Sequence, residues 1–175
     1  LEQRERGFWL NETAGIPAEE NIITRADRLL RREFPNLGGV AVTLEKNIPT
    51  QAGLGGGSTD AAAYLRGMDR LYGLGLGREG LRALAAELGA DVPFCIDGGA
   101  AAAAGIGEKL TPVESHLPLW LVITKPKAGC STPAMYRRID EMGESLRQRF
   151  TTQEAAEALE KGDLVGLCGS LYNVF

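Results

Sequence analysis

Between Asn21 and Phe34 the apolar residues Ile22, Ile23, Ala26, Leu29, Leu30 and Phe34 recur at helical spacing with charged residues between them. This is the pattern of an amphipathic helix with one face on a core. Pro35-Asn36-Leu37-Gly38-Gly39 breaks it, and Val40, Val42 and Leu44 then alternate with small or polar residues as in a half-buried strand. A glycine-rich loop follows, and from Ser58 to about Tyr72 the pattern is again helical. Leu81, Leu84, Ala85 and Leu88 mark a third helix over Arg78–Leu88, with Gly89 where a helix C-cap is expected. Three short β-like pieces come next, Phe94–Ile96, Ala100–Ala104 and Leu119–Thr124. After Lys125-Pro126 the pattern changes to helices over Thr132–Asp140 and Thr152–Lys161, with Gly162, Gly166 and Gly169 punctuating the end. A domain boundary is therefore expected near residues 112–118, dividing 1–115 from 116–175.

Composition narrows the class. Hydrophobic residues make up 44% and charged residues 24% of the 175, as in a folded globular protein. The net charge of -4 offers no global field for nucleic acid or an anionic membrane, so a bound phosphate needs a local device. No window approaches the roughly 18 consecutive apolar residues that span a bilayer, and Leu-Glu-Gln-Arg-Glu-Arg at the start is unlike a signal peptide. Cys95, Cys130 and Cys168, without a CxxC pair, read as reduced thiols. His116 is the one histidine; it reads as a loop residue and leaves no multi-histidine metal site.

Glycine is the outlier, at 23 of 175 residues against about 7% in average usage. Four of the glycines, Gly53, Gly55, Gly56 and Gly57, fall within Pro-Thr-Gln-Ala-Gly-Leu-Gly-Gly-Gly-Ser-Thr-Asp, residues 49–60. Such density is entropically costly unless the backbone needs positive φ or close approach to a ligand. A helix starting at Ser58 would add open N–H groups and a positive dipole end, making an anion site suited to a polyphosphate. It is not a Walker A loop, because no lysine occurs between Lys46 and Lys109, and a G-x-G-x-x-G begun at Gly53 would meet Ser58 where the last glycine belongs. A second constellation is Gly89-Ala90-Asp91-Val92-Pro93-Phe94. Asp91, read as lying past a helix end and before an apolar strand, is either a turn residue or a carboxylate able to accept a hydroxyl proton.

These pieces, with Lys46-Asn47-Ile48-Pro49 before them and Gly105-Ile106-Gly107-Glu108 and Leu110-Thr111-Pro112-Val113 after them, resemble the GHMP small-molecule kinase superfamily. The triple-glycine form Gly-Leu-Gly-Gly-Gly-Ser-x-Asp-Ala-Ala is similar to the branch of it that acts on a cytidine-diphosphate methylerythritol. The resemblance implies an α+β GHMP kinase fold: a ribosomal protein S5 domain 2-like N-terminal domain and the start of a ferredoxin-like C-terminal domain. It implies ATP-dependent phosphorylation of the substrate's 2-hydroxyl in non-mevalonate isoprenoid precursor biosynthesis. Pro49, Thr50, Gln51, Ala52, Gly53, Leu54, Gly55, Gly56, Gly57, Ser58 and Thr59 would wrap the ATP phosphates, with Asn21 and Lys46 by the adenine. Asp91 would be the catalytic base beside the substrate, and Tyr136 the aromatic residue stacked on the cytosine. Mg²⁺ would bridge ATP oxygens, with Ser58 or Thr59 nearby.

The same resemblance implies a small-molecule substrate, no nucleic-acid or membrane partner, a monomer or homodimer, and a bacterial cytoplasmic or plastid stromal location. The family's opening strand with its Lys and Asn, its Gly-Tyr-His segment and its third glycine-rich motif are not found here. The chain accordingly reads as an internal piece of a longer kinase, with an unpaired sheet edge expected. Two alternatives stand beside that reading: another GHMP alcohol kinase, or a nucleotide-binding module without activity of its own.

Overall fold

The computed structural model describes residues 1–12, 15–50, 52–115, 117–125, 131–142 and 152–173. Gln51, His116 and Cys130 lie outside the described residues. The chain divides into two compact units, Leu1–Gly98 with Ile106–Glu108, and Gly99–Gly105 with Lys109–Phe175. The content is α+β.

In the first unit, strands β1 (Glu2–Arg4) and β2 (Phe8–Glu12) flank β3 (Gly39–Leu44) in the order β1-β3-β2. β2 runs parallel to β3, pairing Phe8 with Val40 and Leu10 with Val42, while β1 is antiparallel, pairing Gln3 with Val40. Helix α1 (Ile22–Glu33) is the crossover between the parallel strands, as parallel neighbours require. Asn21 caps it, its Oδ1 accepting from the Ile23 N–H at 3.0 Å, and Arg31 and Arg32 sit in the last turn, where the dipole favours cations. Helices α2 (Gly56–Tyr72), α3 (Gly77–Leu88) and α4 (Val92–Asp97) complete the unit. Ile23, Ala26 and Leu30 of α1, Val40 of β3, Ala61, Leu65 and Met68 of α2, Leu84 and Ala85 of α3 and Val92 of α4 form one core. Large residues such as Leu30, Leu65 and Met68 stabilise it by about 1.5–3 kcal/mol each.

One polar network crosses this core. Asp27, 4% exposed, accepts from the Tyr64 hydroxyl at 2.7 Å and from Arg31 Nε at 2.8 Å. The Arg31 guanidinium also donates to the carbonyls of Leu37, Gly7 and Gly38 at 3.2–3.3 Å. Burial pushes the Tyr64 phenol far above its ordinary value, and the bond to the Asp27 carboxylate pushes it further. α1, α2 and the approach to β3 are thereby fixed to one another.

The second unit holds an antiparallel hairpin of β4 (Ala100–Ala104) and β5 (Lys109–Val113), with Ala102 opposite Thr111. Helices α5 (Thr132–Met142), α6 (Thr152–Lys161) and α7 (Leu164–Ser170) follow, and α6 packs on the hairpin.

Four expectations are corrected. Phe94–Ile96 is helical, because Pro93 stands in the first turn of α4 with φ already suited to a helix, and Gly98 at φ +70 ends it. Leu119–Thr124 joins no ladder among the described residues, and Trp120 and Val122 are each 96% exposed; apolar alternation makes a strand only where a neighbour offers hydrogen bonds. Gly166 and Gly169 lie inside α7, which starts where the Asp163 carboxylate accepts from the Gly166 N–H at 2.9 Å. Finally, α2 begins two residues before Ser58.

Candidate active site

The chain leaves β3 at Leu44 and enters α2 at Gly56 through the glycine-rich segment. Gly53 and Gly55 take φ of +68° and +67°, the left-handed region that a side chain disfavours. Gly55 occupies the N-cap and has no side chain to cap with. The first intrahelical bond runs from the Thr59 N–H to the Gly55 carbonyl at 2.9 Å. The N–H groups of Gly56, Gly57 and Ser58 therefore precede the helical ladder, at the positive end of a 17-residue helix. The earlier start of α2 places two bare glycines in that first turn, so neither residue's own side chain stands over the donors. The Thr59 hydroxyl turns back to donate to the carbonyls of Gly56 and Gly55, at 2.8 and 3.2 Å.

Close packing surrounds the turn. A Cβ built on Gly56 would lie 2.9 Å from Ile48 Cγ2 and 3.6 Å from Lys46 Nζ, and one on Gly57 4.0 Å from Ile22 Cγ2. The first turn of α2 thus meets both the exit from β3 and the start of α1, which joins Asn21-Ile22, Lys46, Ile48 and Gly56–Thr59 in one neighbourhood. Asn21 is buried with its side-chain carbonyl committed to the α1 cap. Lys46 forms an ion pair with Asp60, one turn into α2. Asp60 is the residue whose part the sequence understated: at that position it looks like ordinary helix N-terminal charge, and only the fold shows its cation.

Asp91 is exposed at the N-cap position of α4, and its side chain makes no capping hydrogen bond, so the carboxylate is free of that task. It precedes a helix, not the strand expected. Burial raises the Cys95 thiol above its usual value, and the negative charge of Asp91 adds to the shift. Two features hold this corner. A Cβ on Gly107, at φ +116, would lie 3.4 Å from Ala90 Cβ, so the 106–108 turn sits against the residue before Asp91. At the other end of α4, Asp97 is paired with Arg78 Nε at 2.6 Å and Arg82 Nε at 3.0 Å, both from α3. Tyr136 lies on α5 of the second unit with 55% of its surface exposed. Among the described residues no three His, Cys, Asp or Glu side chains are grouped to hold a metal ion, and no helix is long and apolar enough to cross a membrane.

The family described as "GHMP kinases N terminal domain" matches residues 21–99, a span running from the α1 cap through the loop to Asp91 and Gly99. Residues 21–99 thus carry a GHMP kinase N-terminal domain. It is 45% identical over 156 residues to 4-diphosphocytidyl-2-C-methyl-D-erythritol kinase of Alkaliphilus metalliredigens, covering 89% of this chain and 53% of that protein. It is 40% identical over 156 residues to the enzyme of the same name from a Geobacillus species, covering 88% of this chain and 52% of that protein. A crystal structure of 4-(cytidine 5'-diphospho)-2C-methyl-D-erythritol kinase superimposes with a TM-score of 0.69 at 34% identity, over 97% of this chain and 61% of that one. The chain spans about half the length of the curated relatives it matches.

Proposed function

We propose that the complete protein is an ATP-dependent kinase that phosphorylates the 2-hydroxyl of 4-diphosphocytidyl-2-C-methyl-D-erythritol. The observation that carries this reading is the first turn of α2, where the N–H groups of Gly56, Gly57 and Ser58 stand uncapped behind a left-handed Gly55. Backbone donors of this kind hold phosphate oxygens without a lysine. Pro49, Thr50 and Ala52–Thr59 would form the phosphate wrap, and the neighbourhood of Asn21 and Lys46 would receive the adenine. When bound, ATP supplies the phosphoryl group and Mg²⁺ neutralises charge on its oxygens. With the Thr59 hydroxyl turned to the Gly56 carbonyl, the Ser58 hydroxyl would be the nearby protein oxygen for an ion that the polyphosphate itself would mainly hold.

Asp91 takes the proton of the attacking hydroxyl. The new bond joins that oxygen to the γ-phosphorus, the bond from phosphorus to the β–γ bridging oxygen breaks, and ADP leaves with the electron pair. Little covalent chemistry falls to the protein in such a transfer; positioning and charge placement do most of it. Tyr136, half-exposed on α5, stacks on the cytosine, a contact that asks only for an accessible aromatic face.

The test is Asp91→Asn in the complete protein. Loss of a general base lowers kcat by about 10²–10⁴-fold, while the affinity for a non-hydrolysable ATP analogue stays within about threefold because the α2 turn is untouched. Turnover near that of the unmodified protein would refute the assignment of the base.

A further inference from the structure

We propose that the Lys46 ammonium governs nucleotide affinity through Asp60: the two form a charge-balanced pair beside the phosphate loop, and Asp60 is a positioning residue whose charge the lysine cancels. The inference rests on the reading of the α2 N-terminus as a polyphosphate site.

The placement of the pair carries it. Asp60 follows Gly56 by four residues, hence on the same helix face and about 6 Å further along the axis. Side chains tilt toward a helix N-terminus, so the carboxylate leans back toward the first turn. The ammonium lies beside that same turn, 3.6 Å from where a Gly56 Cβ would stand, and meets the Asp60 carboxylate directly. Both side chains are largely withdrawn from water, with 7% of Lys46 and 19% of Asp60 exposed, so neither charge is well screened. A carboxylate left alone there would oppose an incoming polyphosphate. An ammonium left alone would add a strong point charge to a site already built from N–H groups and a helix dipole, and would retain ADP. The pair cancels both effects and leaves recognition to the backbone.

A lysine that instead bound phosphate directly would have to abandon a half-buried carboxylate beside an anion. A pair that only fastens β3 to α2 would change stability while leaving affinity alone.

The experiment is a double-mutant cycle in the complete protein, reading the Kd of a non-hydrolysable ATP analogue by calorimetry and the melting temperature of each variant. Lys46→Met is expected to weaken binding about tenfold or more, since it exposes the phosphates to an unbalanced carboxylate. Asp60→Asn is expected to tighten binding at least about threefold and to lower the KM for ATP together with kcat, as product leaves more slowly. The double variant is expected to bind at least about threefold more tightly than Lys46→Met alone, because the opposing carboxylate is gone. A double variant as weak as Lys46→Met would overturn the inference, because the Asp60 charge would then have no part in the loss. Unchanged or weaker binding by Asp60→Asn would also overturn it. Should Lys46→Met lose its cooperative melting transition, Asp60→Asn and the double variant decide alone. No binding by the unmodified protein would remove the polyphosphate reading and this inference together, whereas binding without rescue removes the inference only.

Discussion

At Gly56 the absence of a side chain is a packing requirement, not a conformational one. Its backbone is helical, yet a Cβ would fall 2.9 and 3.1 Å from the Cγ2 and Cβ of Ile48, closer than carbon atoms approach without displacement. Gly53 and Gly55 present the opposite case: open space around the missing Cβ but left-handed backbone. For Gly56→Val the branched carbon must displace Ile48 and also cover the N–H groups of the first turn. Overpacking of this kind costs about 1–3 kcal/mol, and ATP-analogue affinity should fall by more than about tenfold as close approach is lost. Gly55→Ala should cost about 1–2 kcal/mol through its backbone alone. Calorimetry beside thermal melting separates the two, and unchanged nucleotide binding by Gly56→Val would remove the phosphate role from this loop. The glycine excess is plain in the sequence, but which glycine answers to φ and which to a neighbour is not, because Ile48 meets Gly56 only after β3 and α2 have packed.

Among the elements, α1 and α2 are the pair whose coupling has a measurable pH signature. Tyr64 of α2 donates to the buried Asp27 of α1, and burial, followed by that bond, raises the phenol well above 10. The unfolded tyrosine ionises near pH 10 while the folded one stays protonated, so above pH 10 the unfolded state binds fewer protons and stability falls as pH rises. The limiting slope is about 1.4 kcal/mol per pH unit for one such group. Tyr64→Phe should lose that increment of alkaline sensitivity, and should cost about 1–3 kcal/mol at neutral pH by leaving Asp27 one donor short. Denaturant melts of both proteins at pH 7 and pH 10.5 measure the difference; parallel alkaline losses would show that the phenol does not keep its proton. Elements of this length and regularity were legible in the sequence: α1, α3 and β3 follow from apolar spacing, and α2 missed only its first two glycines. The short ones were not. In α4, Val92, Phe94 and Ile96 alternate like a strand, while the facts that make it a helix are Pro93 in its first turn and the clasp of Asp97 by Arg78 and Arg82 from α3. β1 is charged and three residues long, so its pairing to β3 has no hydrophobic signal at all. The stretch from Gly89 to Phe94 places Asp91 at a turn beside a helix end whichever structure follows, but spacing alone suits a turn residue, and the role of a base comes from the family resemblance.

Over the 175 residues together, the charge balance and the loop make opposite demands on a polyphosphate, and their ranges decide which prevails. The net charge of -4 that these residues carry repels an anion weakly at a distance, over a Debye length of about 10 Å at 0.1 M salt. On the proposed reading the α2 N–H groups would act at hydrogen-bond distance, where salt does not intervene, with the Lys46–Asp60 ion pair beside them. Nucleotide binding should therefore be neither steered nor strongly screened: between 50 and 300 mM NaCl at fixed Mg²⁺, the Kd of an ATP analogue is expected to change by less than about threefold. In Asp60→Asn the unbalanced ammonium restores a local cation, and the same titration should show affinity falling with salt. A steep loss of affinity in the unmodified protein, tenfold or more over that range, would mean that exposed arginine or lysine side chains hold the phosphates. The backbone of the glycine turn would then be a scaffold for those charges and not the binding device.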